Sequence, residues 1–213
     1  MPAPVHIEPM RGKLKYNREN NLRKRFNLFF SDRFDLPERD YYSSLNSEGL
    51  VALKSMLSGI NNILTLKVTL SFSNWLSERF ELDDSVRAEL ERSVLMAKPN
   101  SNGYDIWLGY PVAFVGEVKC NIPINNGLVY GSAQRAGIEK DVIGLLNGKL
   151  KASINPEKCL KFLAFLDLPQ IRSANEHLQS VSEICKRNLV IVGTGMKLNR
   201  LDVVYGVYVS INT

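Results

Sequence analysis

The stretch GYDIWLGYPVAFVGEVKC, residues 103–120, decides the fold that we expect for this chain. Residues 104–108 and 112–120 are rich in the aromatic and β-branched side chains that favour strands. Between them, Gly-Tyr-Pro at residues 109–111 supplies the glycine and proline of a turn. The stretch therefore predicts a β-hairpin, which is the starting point for the rest of the fold.

Folding the chain about this turn places Asp105 opposite Glu117 and Trp107 opposite Val115. Directly opposed residues have Cβ atoms about 4.5–5.5 Å apart, so both carboxylates can reach one cation. Because side chains alternate along a strand, Lys119 points to the same face as Glu117. We therefore expect Asp105, Glu117 and Lys119 to converge on one face of the hairpin.

Two carboxylates at this distance repel each other unless a positive charge lies between them. Hard oxygen ligands suit Mg²⁺, which binds through one or two carboxylates and keeps several waters; the carbonyl oxygen of Val118 is a further candidate ligand. Such a metal activates a bound water and offsets charge on a phosphate, and Lys119 could orient that water or neutralise the transition state. The alternative is a half-exposed hairpin whose Asp, Glu and Lys form a solvated charge cluster.

Asp105 followed by Glu-Val-Lys at residues 117–119 resembles the signature of the PD-(D/E)xK nuclease superfamily, whose best-known members are type II restriction endonucleases. The resemblance is firm over residues 103–120 and looser to about residue 149. Tyr104 stands where the family name has proline, at a position that has no chemical role.

The resemblance implies an α/β fold, with a restriction-endonuclease-like mixed β-sheet flanked by helices. It implies Asp105 and Glu117 as metal ligands and Lys119 as the catalytic lysine. Members often add an acidic residue from an upstream helix, and Glu89 and Glu91 are both candidates here. Restriction enzymes of this family usually act as homodimers on double-stranded DNA, and a DNA methyltransferase can protect the same site in the host.

A helix is predicted over residues 132–146, after a loop at 121–130. In this family such a helix often contributes a polar residue to the site, and Gln134 could fill that role or could be an ordinary surface glutamine. Lys149 and Lys151 follow the helix, and we expect them on a solvated surface.

Basic residues crowd the N-terminal stretch, in a chain whose net charge is +5 and whose pI is about 9.1. Cations of this kind give salt-dependent, sequence-independent affinity for phosphates. The alternative is a solvated basic arm or helix face. The candidate DNA-binding residues are Arg11, Lys13, Lys15, Arg23, Lys24 and Arg25.

Composition excludes several classes of protein. Cys120, Cys159 and Cys185 are too widely spaced for a zinc site or a disulfide framework. With His6 and His177 as the only histidines, a His-rich metal site or a Ser-His-Asp hydrolase is disfavoured. We find neither an apolar run of about 18 residues nor an N-terminal signal, so we expect a cytoplasmic protein without a membrane segment.

The remaining sequence predicts a basic, mainly helical region over residues 1–70, which could form a DNA-contacting arm, and a nuclease core over 71–213, within one compact domain. The segment 64–70 alternates like a strand, although it could also continue the preceding helix. Predicted helices cover residues 20–30, 48–63, 84–98, 156–168 and 174–187, and predicted strands cover 64–70, 189–192 and 203–211.

The sequence therefore predicts a Mg²⁺-dependent endonuclease acting on double-stranded DNA, most simply a site-specific restriction enzyme. A second hypothesis is a repair or phage-type nuclease that selects DNA structure rather than sequence. A third is a DNA-binding protein without catalysis. Loss of cleavage with retained binding on replacement of Glu117 would separate the nucleases from the third hypothesis.

Overall fold

The computed structural model describes residues 16–97, 103–124, 127–150, 152 and 154–211. The chain divides into two compact units, Met1–Leu57 and Ser58–Thr213, called unit 1 and unit 2 below. The boundary lies inside a long helix, at 57/58. The division into regions 1–70 and 71–213 stays a prediction.

Unit 1 contains helix α1, Arg18–Phe34, and the first turns of helix α2, Ser47–Arg79. The side chain of Asn17 caps α1 by accepting a hydrogen bond from the Asn20 amide at 2.9 Å. The helix predicted at 20–30 is therefore confirmed with wider bounds. Its aromatic face packs against the loop that follows, through contacts among Phe26, Phe30, Tyr41 and Tyr42.

Helix α2 runs for 33 residues without a break, so the strand predicted at 64–70 is wrong and the alternative, a continuation of the helix, is confirmed. The alternation there is short, and the next apolar residues, Val68, Phe72 and Leu76, recur at helical spacing and are completely buried. By length and composition α2 could also cross a membrane, since its most apolar 18-residue window has a mean hydropathy of 1.2 and is 0% buried. A single helix of this kind is weak evidence for a membrane segment.

Unit 2 is built on a five-stranded mixed sheet with the strand order β1-β2-β3-β5-β4. β1 is antiparallel to β2, and all other neighbours are parallel. This mixed sheet with flanking helices confirms the general α/β class that the sequence predicts. After α2 the elements are α3 (Asp84–Met96), β1 (Ile106–Leu108), β2 (Phe114–Lys119), α4 (Ser132–Asn147), a 3-10 helix (Pro156–Lys158), β3 (Leu160–Leu166), α5 (Pro169–Val181), α6 (Glu183–Asn188), β4 (Leu189–Ile191) and β5 (Val204–Val209).

The predicted hairpin is confirmed, including its register. Trp107 pairs with Val115, and the pairing Ile106 with Gly116 places the preceding residue, Asp105, beside Glu117. The strands are shorter than predicted, since they span only Ile106–Leu108 and Phe114–Lys119. The hairpin thus brings the two carboxylates to one end of the β1–β2 ladder.

The helix predicted over residues 156–168 is wrong. A short 3-10 helix, Pro156–Lys158, is followed by the strand β3, whose seven residues are all buried. The sequence Leu-Lys-Phe-Leu-Ala-Phe-Leu is almost continuously apolar, and such a run fits a central parallel strand as well as a buried helix. Its position between two parallel neighbours resolves the ambiguity.

Downstream, the structure corrects one helix boundary and confirms two strands. The helix predicted from residue 174 begins earlier, at Pro169, and Ser182 separates α5 from α6. Ser182 then caps α6 by accepting a hydrogen bond from the Cys185 amide. The strands predicted at 189–192 and 203–211 are present as β4 and β5.

We expect Gly116→Ala to destabilise the protein by about 1–3 kcal/mol, because the added methyl group overpacks the core. A Cβ at Gly116 would lie 2.8 Å from both the Ile106 and Phe72 side chains, closer than real Cβ contacts allow. Gly137, on α4, has open space at that position, so Gly137→Ala is the matched control and should stabilise by up to about 1 kcal/mol. Urea unfolding of both variants and of the unmodified protein measures these changes. A Gly116→Ala variant as stable as the unmodified protein would contradict the close packing of α2 on β2.

Candidate active site

The predicted carboxylates and lysine meet in one cleft of about 550 Å³ in unit 2. Four elements form its walls: the middle of α2, the end of α3, the hairpin and α4. The apolar lining comes mainly from α2 and α3, and the charged lining comes from the hairpin and α4. The polar side chains in the lining are those of Asn62, Thr65, Thr69, Asp105, Glu117, Lys119 and Asp141.

Asp105 and Glu117 differ in their surroundings. Asp105 as a whole residue is exposed, but its Oδ2 is turned inward and accepts a hydrogen bond from the Val118 amide at 2.8 Å. Desolvation of this inward carboxylate is the main reason that its pKa is raised, and the Val118 amide opposes the shift. Glu117 is only 5% exposed.

Lys149 is the direct partner of Glu117, with its ammonium 2.5 Å from Oε1. The same ammonium donates to the Gly103 carbonyl at 3.0 Å and lies 5.5 Å from the centre of the Tyr104 ring. The prediction of a solvated Lys149 is therefore wrong, because three groups of the hairpin enclose its side chain. The other lysine predicted there, Lys151, lies outside the described residues.

The pKa of Glu117 is raised to about 7. Burial is the largest cause, and the negative charge of Asp105 adds to it, whereas the hydrogen bond and charge of Lys149 oppose it. A raised pKa of this origin is typical of carboxylates at functional sites, although structural ion pairs can shift a pKa as well. A further cation bound beside Glu117 would lower this pKa and keep the carboxylate ionised.

Lys119 pairs with Asp141 on α4, and both side chains are largely buried. Asp141 was not among the predicted site residues. It is three residues after Ile138 and four before Leu145, so it lies on the apolar face of α4 that packs against the sheet. A lone carboxylate on that face is the signal by which the sequence could have identified it.

Four charged side chains line the cleft, and Lys149 contacts one of them, Glu117; together they form two lysine–carboxylate pairs and one further carboxylate, Asp105. With all groups ionised, the negative charges exceed the positive charges by one. Among the described residues, no set of three or more His, Cys, Asp or Glu side chains is placed to hold a metal ion by itself. Any cation bound here would complete its coordination with water or with substrate oxygens.

Other predicted residues lie away from the cleft. Glu89 and Glu91 are exposed on α3, and that helix lines the cleft with Val94 and Leu95 instead. Gln134 accepts a hydrogen bond from the Gly131 amide and donates one to the Ile122 carbonyl, so it closes the start of α4. Its contacts account for its position without a role in the cleft.

The structure describes some of the predicted DNA-binding residues and not others. Arg11, Lys13 and Lys15 lie outside the described residues. Lys24 and Arg25 are exposed on α1 in unit 1. Arg23 is partly buried, with its guanidinium 3.8 Å from Glu19 and 3.9 Å from Asp40.

We expect Glu117→Gln to flatten the pH dependence of stability between pH 4.5 and about 7. In that window the folded protein holds a proton on Glu117 that the unfolded chain has released. The free energy of unfolding of the unmodified protein therefore falls as pH rises, by about 3 kcal/mol from this group. Urea unfolding at pH 5 and pH 8 measures the difference, with the exposed Glu91→Gln as control. Parallel pH profiles for the unmodified protein and Glu117→Gln would contradict the raised pKa.

Comparison with known proteins adds no relative. No protein-family model, curated protein or solved structure matches this chain.

Proposed function

We propose that this protein is a Mg²⁺-dependent endonuclease that hydrolyses phosphodiester bonds of double-stranded DNA, with site-specific cutting of the type II restriction kind. The observation that carries the proposal is the convergence of Asp105, Glu117 and Lys119 in one cleft. The finer fold assignment, a restriction-endonuclease-like core, is part of the same proposal. Its support is the antiparallel hairpin that carries the three residues, followed by a helix and a parallel neighbour for β2.

The residues of the cleft fit Mg²⁺ by their chemistry. Asp105 and Glu117 are hard oxygen ligands, and their pKa values are raised partly because each carboxylate lies near other negative charge, which a divalent cation would relieve. The carbonyl of Val118 is the further candidate ligand, and Val118 lines the cleft. When bound, Mg²⁺ would supply Lewis-acid chemistry, acidifying a water and neutralising charge on the phosphate.

The protein's own groups would hold the metal ligand in position and stabilise charge on the phosphate. Asp105 is fixed by the Val118 amide, so its orientation does not depend on the metal. Lys119 is held at the cleft by Asp141 and would place its positive charge beside the phosphate that is attacked. Because the pair is only partly exposed, that charge is screened less than a surface lysine would be.

DNA is the substrate that the charge distribution favours. Besides the net charge of +5, exposed cations of α1 could contact the backbone phosphates. The residues proposed to read the sequence lie outside the hairpin, in 11–45 and 121–131. In this proposal, these two segments read the DNA sequence and the hairpin carries the catalytic residues.

A homodimer is proposed because a two-fold protein matches a two-fold DNA site. Helix α2 leaves several apolar side chains exposed, and surfaces of this kind often mark interfaces. The exposed residues are Leu50, Val51, Met56, Leu57, Ile60, Ile63 and Leu66. A cytoplasmic location and a DNA methyltransferase acting on the same site remain parts of the proposal.

We expect the double substitution Lys24→Gln/Arg25→Gln to weaken DNA binding without changing stability. Both side chains are exposed on α1, so their loss removes phosphate contacts and leaves the packing of unit 1 intact. Each lost phosphate contact lowers the slope of log K against log salt by about 0.9, so the slope should fall by about 2. Fluorescence anisotropy at several salt concentrations measures the slope. An unchanged slope would remove α1 from the proposed DNA interface.

A second candidate function is a non-catalytic DNA-binding protein. The observation that favours it is the pairing of Glu117 with Lys149 and of Lys119 with Asp141, because paired charges can be purely structural. Against it, a surface that binds phosphate gains nothing from buried carboxylates. A nuclease that selects DNA structure remains the alternative to a site-specific nuclease.

Incubation of the purified protein with plasmid DNA and Mg²⁺, beside a reaction with EDTA, separates these functions on one gel. Discrete fragments that disappear with EDTA are the expected result. Nicked or smeared DNA would favour the structure-selective nuclease. DNA that stays intact across plasmids of different sequence, branched DNA and single strands would favour the binding protein.

A further inference from the structure

Lys149 is a cation already bound to the carboxylate that the proposed metal needs. Its ammonium lies 2.5 Å from Glu117 Oε1, in surroundings that leave Glu117 only 5% exposed. A buried carboxylate without a partner is strongly destabilising, so a cation at this position stabilises the fold when no metal is bound. In the metal-free protein, Lys149 therefore supplies part of the positive charge that a metal ion would place beside Glu117.

The structure holds Lys149 in this position from both sides. Gly148 ends α4 with a φ of 92°, a conformation that glycine adopts easily, and this turn precedes Lys149 directly. At the other end, the ammonium is fixed by the Gly103 carbonyl at 3.0 Å and by the face of Tyr104 at 5.5 Å. A lysine with this many contacts is not free to swing into solvent.

We propose that Lys149 is a built-in counter-ion that stabilises the metal-free cleft and lowers its affinity for divalent cations. The inference rests on the proposed function, because it concerns the carboxylate assigned to the metal. A cation that binds Glu117 must share the carboxylate with the ammonium, and repulsion between them scales with the product of their charges. Removal of Lys149 thus removes a competitor of the metal.

A second effect acts in the opposite direction. Residues behind a metal ligand often orient it, and their loss typically weakens metal binding by 10- to 100-fold. Here Lys149 occupies only Oε1 in the contacts of the described residues, and Glu117 keeps the rigid support of a strand between two neighbours. Because the strand already fixes the ligand, we expect the loss of repulsion to exceed the loss of orientation.

The test is direct binding of Mn²⁺, measured by electron paramagnetic resonance and by calorimetry without DNA. Lys149→Met is expected to bind Mn²⁺ about tenfold more tightly than the unmodified protein. Lys149→Arg keeps the charge and should bind within about threefold of the unmodified protein. Lys140→Met, which changes an exposed lysine of α4, is the matched control and should show no change.

Thermal unfolding gives an independent readout. Without metal, Lys149→Met should melt at a lower temperature than the unmodified protein, because Glu117 loses its partner. With saturating Mn²⁺ its melting temperature should rise further than that of the unmodified protein, since tighter binding to the folded state stabilises it more. If Lys149→Met does not fold without metal, Lys149→Gln keeps a hydrogen-bond donor and provides the same comparison.

The outcomes separate this inference from the proposed function. If the unmodified protein binds Mn²⁺ and Asp105→Asn does not, the metal site stands. Equal or weaker binding by Lys149→Met in that case overturns only the counter-ion role and makes Lys149 a positioning residue. If neither the unmodified protein nor Lys149→Met binds Mn²⁺ at millimolar concentrations, the metal site and the counter-ion role are both wrong.

Discussion

Asp105→Asn is expected to lower the rate of Mg²⁺-dependent DNA cleavage by about 1,000-fold or more. The change removes one of the two carboxylate ligands, and metal catalysis contributes several kcal/mol, each 1.36 kcal/mol being a factor of ten in rate. The fold should survive, because the Asn carbonyl oxygen can accept the same hydrogen bond from the Val118 amide. Single-turnover cleavage of a labelled duplex measures the rate.

The control for Asp105→Asn is Asp84→Asn, at the exposed start of α3, which should cleave DNA normally. DNA binding in the absence of metal should be at least as tight in Asp105→Asn, because the variant carries one negative charge less. Cleavage within about tenfold of the unmodified rate would show that the cleft is not the active site.

Lys119→Gln is expected to slow cleavage by about 100- to 1,000-fold while leaving metal affinity nearly unchanged. This range is typical for removal of one group that stabilises transition-state charge. The amide of Gln can still donate to Asp141, so the variant tests the charge of Lys119 with its main contact preserved. Single-turnover rates and Mn²⁺ titrations on the same preparation separate the two properties.

Lys140→Met serves as the control for Lys119→Gln, because Lys140 is exposed on α4. A full rate in Lys119→Gln would place Lys119 in a structural ion pair with Asp141. A loss of rate accompanied by an equal loss of Mn²⁺ affinity would instead make Lys119 part of the metal site's support.

The hairpin could be predicted from the sequence because everything that determines it is local. The Gly-Tyr-Pro turn fixes where the chain reverses, and alternation then fixes which residues face each other. The predicted pairing of Trp107 with Val115 is present, and Asp105 lies beside Glu117 as a consequence. The carboxylates and lysine at the centre of the proposal therefore needed no tertiary information.

The lysine–carboxylate pairs could not be predicted in the same way. Lys149 is 32 residues from Glu117 and 46 from Gly103 along the chain, so their contact depends on how α4 packs against the hairpin. Asp141 reaches Lys119 through the same packing. Local composition showed two lysines after a helix, and this pattern is far more often a solvated surface.

The errors in secondary structure have a related origin. Residues 64–70 alternate over too short a span to distinguish a strand from a helix, and β3 is so uniformly apolar that it has no period. In both places the tertiary environment decides. α2 continues as a helix because Val68, Phe72 and Leu76 form one buried stripe. β3 is a strand because it completes the sheet between β2 and β5.

The most direct test of the central claim is the single-turnover cleavage rate of a DNA duplex as a function of Mg²⁺ concentration, for the unmodified protein and Asp105→Asn. We predict a rate that is zero in EDTA, rises to a plateau with Mg²⁺ in the unmodified protein, and stays near zero in the variant. Cleavage that persists in EDTA, or equal rates for the two proteins, would contradict a metal-dependent active site at Asp105, Glu117 and Lys119.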